Sequence, residues 1–137
     1  TNYFKMKKTG SKSCYSELRN KELLKTYRRL IGECNKIYLP EILRRIANYP
    51  CSRFWVSEQR AAIVLSKMFA GENVLCKMRP CKQQMFMKLF QKALYLKFKN
   101  PEKNTKTIAW EVTNSPAPKF YLDVSCIRVY LHYIKKL

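Results

Sequence analysis

Residues 48–57, NYPCSRFWVS, recur without a gap as residues 114–123, NSPAPKFYLD, 66 positions further along the chain. Asn48 pairs with Asn114, Pro50 with Pro116, Arg53 with Lys119 and Phe54 with Phe120. Trp55 then pairs with Tyr121, Val56 with Leu122 and Ser57 with Asp123. Each of these exchanges keeps size, sign of charge or the capacity to cap a helix. Self-similarity at a fixed period marks a duplicated supersecondary unit, so one plan written twice is expected, the plainer alternative being chance similarity. With 137 residues, the chain has room for one ordinary domain or two very small ones.

The repeated plan is helical. Ser16 can cap a helix with Glu17 in its first turn, and Leu23, Tyr27, Leu30, Ile31, Cys34 and Tyr38 then recur at three- and four-residue intervals. Residues 1–15 are basic without that apolar stripe and read as an N-terminal arm. Leu39-Pro40 interrupts, because proline disfavours helical geometry in the residue before it yet suits the first turn of a new helix. That second helix, PEILRRIAN, turns Ile42 or Leu43 and Ile46 inward and Arg44 and Arg45 outward, and stops before Pro50. After a link, Ser57 caps a third helix with Glu58 and Gln59 in its first turn, ending near Gly71.

The second half repeats this order. Pro80 opens a helix striped with Phe86, Leu89, Phe90, Ala93 and Leu94. TIAWEVTN matches EILRRIAN, and the closing helix follows Asp123. KELLKTYRRL aligns with QMFMKLFQKA at an offset of 63, which places a three-residue insertion in the loop beginning at Asn100-Pro101. The expected fold is all-α: two tandem pseudo-repeated trihelical units of helix-turn-helix type, residues 16–71 and 72–137, packed as one compact body. Two features depart from a standard module. The link 50–56 lacks the usual short glycine-containing turn, and FYL at 120–122 also fits a short strand.

Charge indicates what such a body should meet. Twenty-eight Lys and Arg against 9 Asp and Glu give +19. The halves share it: 15 basic and 5 acidic residues give +10 over 1–71, and 13 basic and 4 acidic give +9 over 72–137. A field carried by the whole fold attracts a polyanion, so nucleic acid, DNA ahead of RNA, is the expected partner. Hydrolytic or phosphoryl-transfer chemistry asks for clustered carboxylates or a positioned histidine. One Asp, one histidine (His132) and no acidic cluster argue against an enzyme. The nearest cysteine pair, Cys76 and Cys81, is too widely spaced for a zinc knuckle, so no metal or other cofactor is expected. The six cysteines show no framework spacing and read as reduced thiols. No run approaches the roughly 20 apolar residues of a bilayer span and no leader is recognisable. Aromatic residues at core-like positions also speak against a membrane-surface binder, and a cytoplasmic location is expected.

The candidate contacts follow from the repeat. Phe54 and Phe120 read as core anchors, and Trp55 and Tyr121 as boundary residues that pack or touch a sugar-phosphate backbone. Arg53 and Lys119, directly before the aromatic pair, are candidate phosphate clamps on the mount of each third helix; the plainer reading is a solvated cation. The third helices would present Ser57, Gln59, Arg60 and Lys67 in one copy, and Ser125, Arg128, Lys135 and Lys136 in the other, to a groove or a backbone. N-terminal residues of such helices are the ones that reach base edges. Two copies in one chain would mimic a dimer and double the phosphate contacts, making affinity fall steeply with salt.

SRFWVSEQRA and PAPKFYL, with MRPCKQQMF between them, resemble a family of small basic proteins of gut Bacteroidetes and their phages and mobile elements, which carry P-A-S-R-F-W-V-S-E-E-R-A followed by P-A-P-K-F-Y-L. The resemblance covers roughly residues 20–135 and departs at Cys51, at Gln59 and in DVSCIRVY. It implies a phage or mobile-element setting within the host cell and no particular activity. The expected function is non-enzymatic binding of nucleic acid, as a regulator or organiser of duplex DNA. The alternative is a structural or packaging component of a phage virion that binds nucleic acid without reading sequence, with other virion proteins as partners.

Overall fold

A computed structural model describes residues 10–136. The chain forms α1 (Gly10–Glu33), α2 (Leu39–Ala47), α3 (Glu58–Phe69), α4 (Pro80–Lys99), α5 (Thr105–Thr113) and α6 (Val124–Lys136), with no strand among the described residues. Residues 120–122, which fitted a strand by sequence, carry no regular structure. Residues 1–9 of the expected arm lie outside the described residues. Residues 10–15 already belong to α1, so this helix starts ahead of the cap expected at Ser16.

The local signals account for most of the helix ends. Proline stands in the first turn of both α2 and α4, where a missing N–H costs nothing. Ser57 Oγ accepts the Arg60 N–H at 3.0 Å to cap α3, and Asn104 Oδ1 accepts the Thr107 N–H at 2.8 Å to cap α5. Gly71, at φ +84°, closes α3: its N–H donates to Met68 O at 3.0 Å, and the Glu72 N–H donates to Lys67 O at 3.0 Å. That pair of bonds is a Schellman closure, and the left-handed residue it needs favours glycine.

Helix bounds in the two halves correspond closely. Leu39–Ala47 and Thr105–Thr113 are each nine residues long and lie 66 apart. Glu58 and Val124 open α3 and α6 at the same spacing, and Glu33 and Lys99 end α1 and α4 at it. The buried stripe of α1, Leu23, Thr26 and Leu30, matches Phe86, Leu89 and Ala93 of α4 at a spacing of 63. Both following loops, 34–38 and 100–104, span five residues. The three-residue difference therefore falls inside α4 and not, as expected, in the loop after Asn100.

The contacts divide the chain into two compact units. The first takes the chain up to Cys51 and again from Pro118, and so holds α1, α2 and α6; the second is Ser52–Ala117, holding α3, α4 and α5. In the first unit Leu23 and Leu30 of α1, Ile42, Leu43 and Ile46 of α2, and Ile127 and Leu131 of α6 are buried together with Phe120. In the second, α3 buries Ala61, Val64 and Leu65. Its α4 buries Met85, Phe86, Leu89 and Ala93, and its α5 buries Ile108, Ala109 and Val112, with Phe54 fully enclosed.

This membership corrects the division into residues 16–71 and 72–137. Each unit takes its first two helix types from one half and its third from the other: α6 packs on α1 and α2, while α3 packs on α4 and α5. The cause lies in the links. Phe54 donates its N–H to Thr113 O at 3.0 Å and is buried within the second unit, so the link leads α3 onto α4 and α5. A standard helix-turn-helix packs successive helices on one another. Here α2 and α3, successive in sequence, belong to different units.

Candidate nucleic-acid interface

The link residue Arg53 was the leading candidate for a phosphate clamp, and the fold uses it otherwise. Its side chain is 14% exposed. Nε donates to Phe54 O at 3.0 Å, one terminal nitrogen to Val56 O at 2.8 Å and the other to Asn114 Oδ1 at 3.2 Å. Glu58 stands 3.7 Å from the guanidinium and accepts from Asn114 Nδ2 at 3.1 Å. The guanidinium also lies 5.5 Å from the centre of the Trp55 ring. This is a structural cation that ties the link, the C-terminal end of α5 and the first turn of α3 into one network. Beneath it, Trp55 Nε1 is buried without a hydrogen-bond partner.

Lys119 shares only part of that arrangement. Its ammonium lies 5.4 Å from the centre of the Tyr121 ring, and its carbonyl accepts from Cys51 Sγ at 3.3 Å. Tyr121 is buried at φ +59°, a conformation that bulky residues rarely adopt. Burial, and then the neighbouring Cys51, hold its phenol above the ordinary value.

The other candidates divide by helix. On α3, Ser57 is committed to the cap, while Gln59, Arg60 and Lys67 are exposed. Arg60, Ile63 and Lys67 sit at helical spacings that put them on one face, as do Gln59 and Ile63. On α6, Ser125 and Arg128 are exposed in the first turns. Lys135 and Lys136 belong to the last turn of α6, and their side chains lie outside the described residues. Within each unit the third helix thus buries one face on its two neighbours and turns Gln59, Arg60 and Lys67, or Ser125 and Arg128, outward.

Trp110 on α5 and Ile63 on α3, both passed over by sequence reasoning, join this surface. Trp110 is 59% exposed and Ile63 is 51% exposed. With Gln59, Ala62 and Glu58 of α3 and Lys106 of α5 they line a groove of about 510 Å³. The signal lay in the alignment itself. Trp110 stands opposite Arg44, beside the charge reversal of Arg45 to Glu111, and Ala62 stands opposite Arg128.

A second cleft, about 550 Å³ between α4 and α5, has its charges matched from within. Lys103 pairs with Glu111 at 2.8 Å. Lys92 Nζ donates to Ser115 Oγ at 3.0 Å and Pro116 O at 3.2 Å, closing the end of α5, and lies 5.3 Å from the centre of the Phe54 ring. Burial, and then Lys88, hold the Lys92 amine below the ordinary lysine range.

Among the described residues no three His, Cys, Asp or Glu side chains gather where they could hold a metal ion. No described helix is long and apolar enough to cross a membrane. Cys34, Cys51, Cys76, Cys81 and Cys126 are thiols. Compared with protein-family models, curated proteins and solved structures, the chain matches none.

Proposed function

We propose that this chain is a non-enzymatic nucleic-acid-binding protein, acting on duplex DNA as a regulator or organiser in a phage or mobile-element setting. Its scaffold is one trihelical repeat used twice, with the third helices exchanged between the copies. The matched helix bounds and the matched buried positions Phe54/Phe120, Ala61/Ile127 and Leu65/Leu131 support the duplication. The observation that carries the function is the charge balance of each unit. The unit with α1, α2 and α6 has 16 basic and 5 acidic residues, +11, and Ser52–Ala117 has 12 and 4, +8. Nine carboxylates cannot neutralise 28 cations. Lys25, Arg28, Arg45 and Arg128 in one unit, and Arg60, Lys67 and Lys88 in the other, are exposed. A surface so charged, on helices with one face free of the core, suits a phosphate chain.

The test is a binding titration against a candidate duplex and its scrambled counterpart over a salt series. Arg60→Glu with Lys67→Glu, and separately Arg128→Glu, should weaken binding. Each lost phosphate contact should also flatten the slope of log affinity against log salt by about 0.9. Preference for one duplex supports a regulator, and uniform binding supports the packaging alternative. Affinity indifferent to salt and to these variants would refute the reading.

A further inference from the structure

The two units differ at one matched place. Where α2 and α6 carry Arg44, Arg128, Ser125 and Val129, the equivalent positions on α5 and α3 carry Trp110, Ala62, Gln59 and Ile63. The first set is cationic and the second is aromatic and neutral, with Lys106 one turn before Trp110 on α5. Trp110 is more than half exposed. Large apolar side chains left in water within a strongly charged protein mark an interaction site when they line a recess, and these line the groove of about 510 Å³.

The occupant can be argued from size and charge. A stable protein interface covers about 800 Å² on each side. This groove instead offers one indole face and one isoleucine, framed by Lys106, Gln59 and Glu58. That is room for a single flat ring with a negative charge beside it. Glu58 is already engaged by Arg53 and Asn114, which leaves Lys106 as the charge facing a ligand and makes the preference anionic. An aromatic platform next to a cation is how proteins hold unpaired bases, because every base has a stacking face and a phosphate beside it.

Resting on the nucleic-acid reading above and extending it from duplex to strands with unpaired bases, we propose that the α3–α5 groove holds an unpaired nucleobase of a bound strand. The base stacks on Trp110, with Gln59 at its polar edge and Lys106 at the adjoining phosphate. The +11 unit, with Arg44 and Arg128 at the same place, contacts backbone only.

Two tryptophans make the test direct. Trp55→Phe leaves Trp110 as the sole indole, and its fluorescence can be followed during titration with single-stranded oligonucleotides, matched duplex, heparin and an acidic tyrosine-containing peptide. Single strands should quench Trp110, while heparin binds without doing so. Trp110→Ala should weaken single-strand binding roughly 5- to 150-fold and leave heparin affinity unchanged, with Trp110→Phe restoring most of the loss. Salt-sensitive binding of all polymers with no response at Trp110, or equal losses for heparin and oligonucleotide, would overturn the base site while sparing the electrostatic reading. Saturable quenching by the peptide alone would reassign the groove to a protein partner. If no polyanion binds at low salt, the broader reading fails and the base site with it.

Discussion

The links 50–56 and 116–122 occupy equivalent positions in the chain, yet their matched cations are held differently, a guanidinium on three oxygen acceptors in one and an ammonium over an aromatic ring in the other. Phe54 and Phe120 are both enclosed. Asn48 and Asn114 both end a helix, donating Nδ2 to the carbonyl four residues back, at 3.0 Å to Arg44 O and at 2.8 Å to Trp110 O. Arg53 then reaches three acceptors and a carboxylate. Lys119 at the same place has one ammonium over an aromatic ring. What these link positions share is a buried ring and a helix-ending amide, and what they do not share is how the cation before the ring is held.

The shared group should give the largest effects. Phe54→Ala and Phe120→Ala each remove a fully packed ring, and such truncations cost about 3–5 kcal/mol. Urea denaturation measures that loss, and hydrogen exchange shows where it falls. Phe54→Ala should loosen α3, α4 and α5, and Phe120→Ala should loosen α1, α2 and α6. Faster exchange in α2 after Phe54→Ala, with α5 unaffected, would mean that the third helices are not exchanged.

The link cations come next, because there the halves part. Arg53→Ala leaves Phe54 O, Val56 O and Asn114 Oδ1 without a donor that carries a charge, and bonds of that kind contribute about 1.5–3 kcal/mol. Lys119→Ala removes a cation–π contact with Tyr121, and such contacts contribute about 0.5–1 kcal/mol. Equal losses for the two variants in the same denaturation experiment would erase the distinction between the two link cations.

Much of the helix layout was readable from local chemistry. Pro40, Ser57, Gly71 and Pro80 each fix a helix end through their own backbone or a neighbouring amide, and the helices end near them. The exchange of third helices was not readable, for a physical reason. A period of 66 says that Leu65 and Leu131 are equivalent, and equivalent stripes fit either pair of partner helices equally well. Only the path of the link decides between them. The network of Arg53 was not readable either, because a positive charge before an aromatic residue looks the same whether it meets phosphate or a carbonyl. Its Asn114 partner lies 61 residues away in sequence. Trp110 was legible in principle, since the alignment of α2 with α5 breaks at Arg44/Trp110 and Arg45/Glu111, where a basic pair gives way to an indole and a carboxylate.

The smallest expected effect tests the links on the side of Tyr121. Its phenol is held above the usual value near 10, first by burial and then by Cys51. The unfolded chain therefore releases this proton at lower pH than the folded one. Below pH 10 both states keep the proton and stability is unaffected by it. As pH rises from about 10 towards the folded value, the unfolded state alone ionises, binds fewer protons and is favoured, by at most about 1.4 kcal/mol per pH unit. Lysines titrate in the same range, so the observable is a difference. Stability of the parent protein and of Tyr121→Phe, measured from pH 8 to 11, should run parallel until about pH 10, above which the parent falls faster. Trp55, at the matching place, has no such proton, and Trp55→Phe should follow the parent throughout. Parallel curves for the parent and Tyr121→Phe to the end of the range would mean that Tyr121 ionises as easily folded as unfolded. The two links would then be alike in their aromatic residues and differ only in their cations.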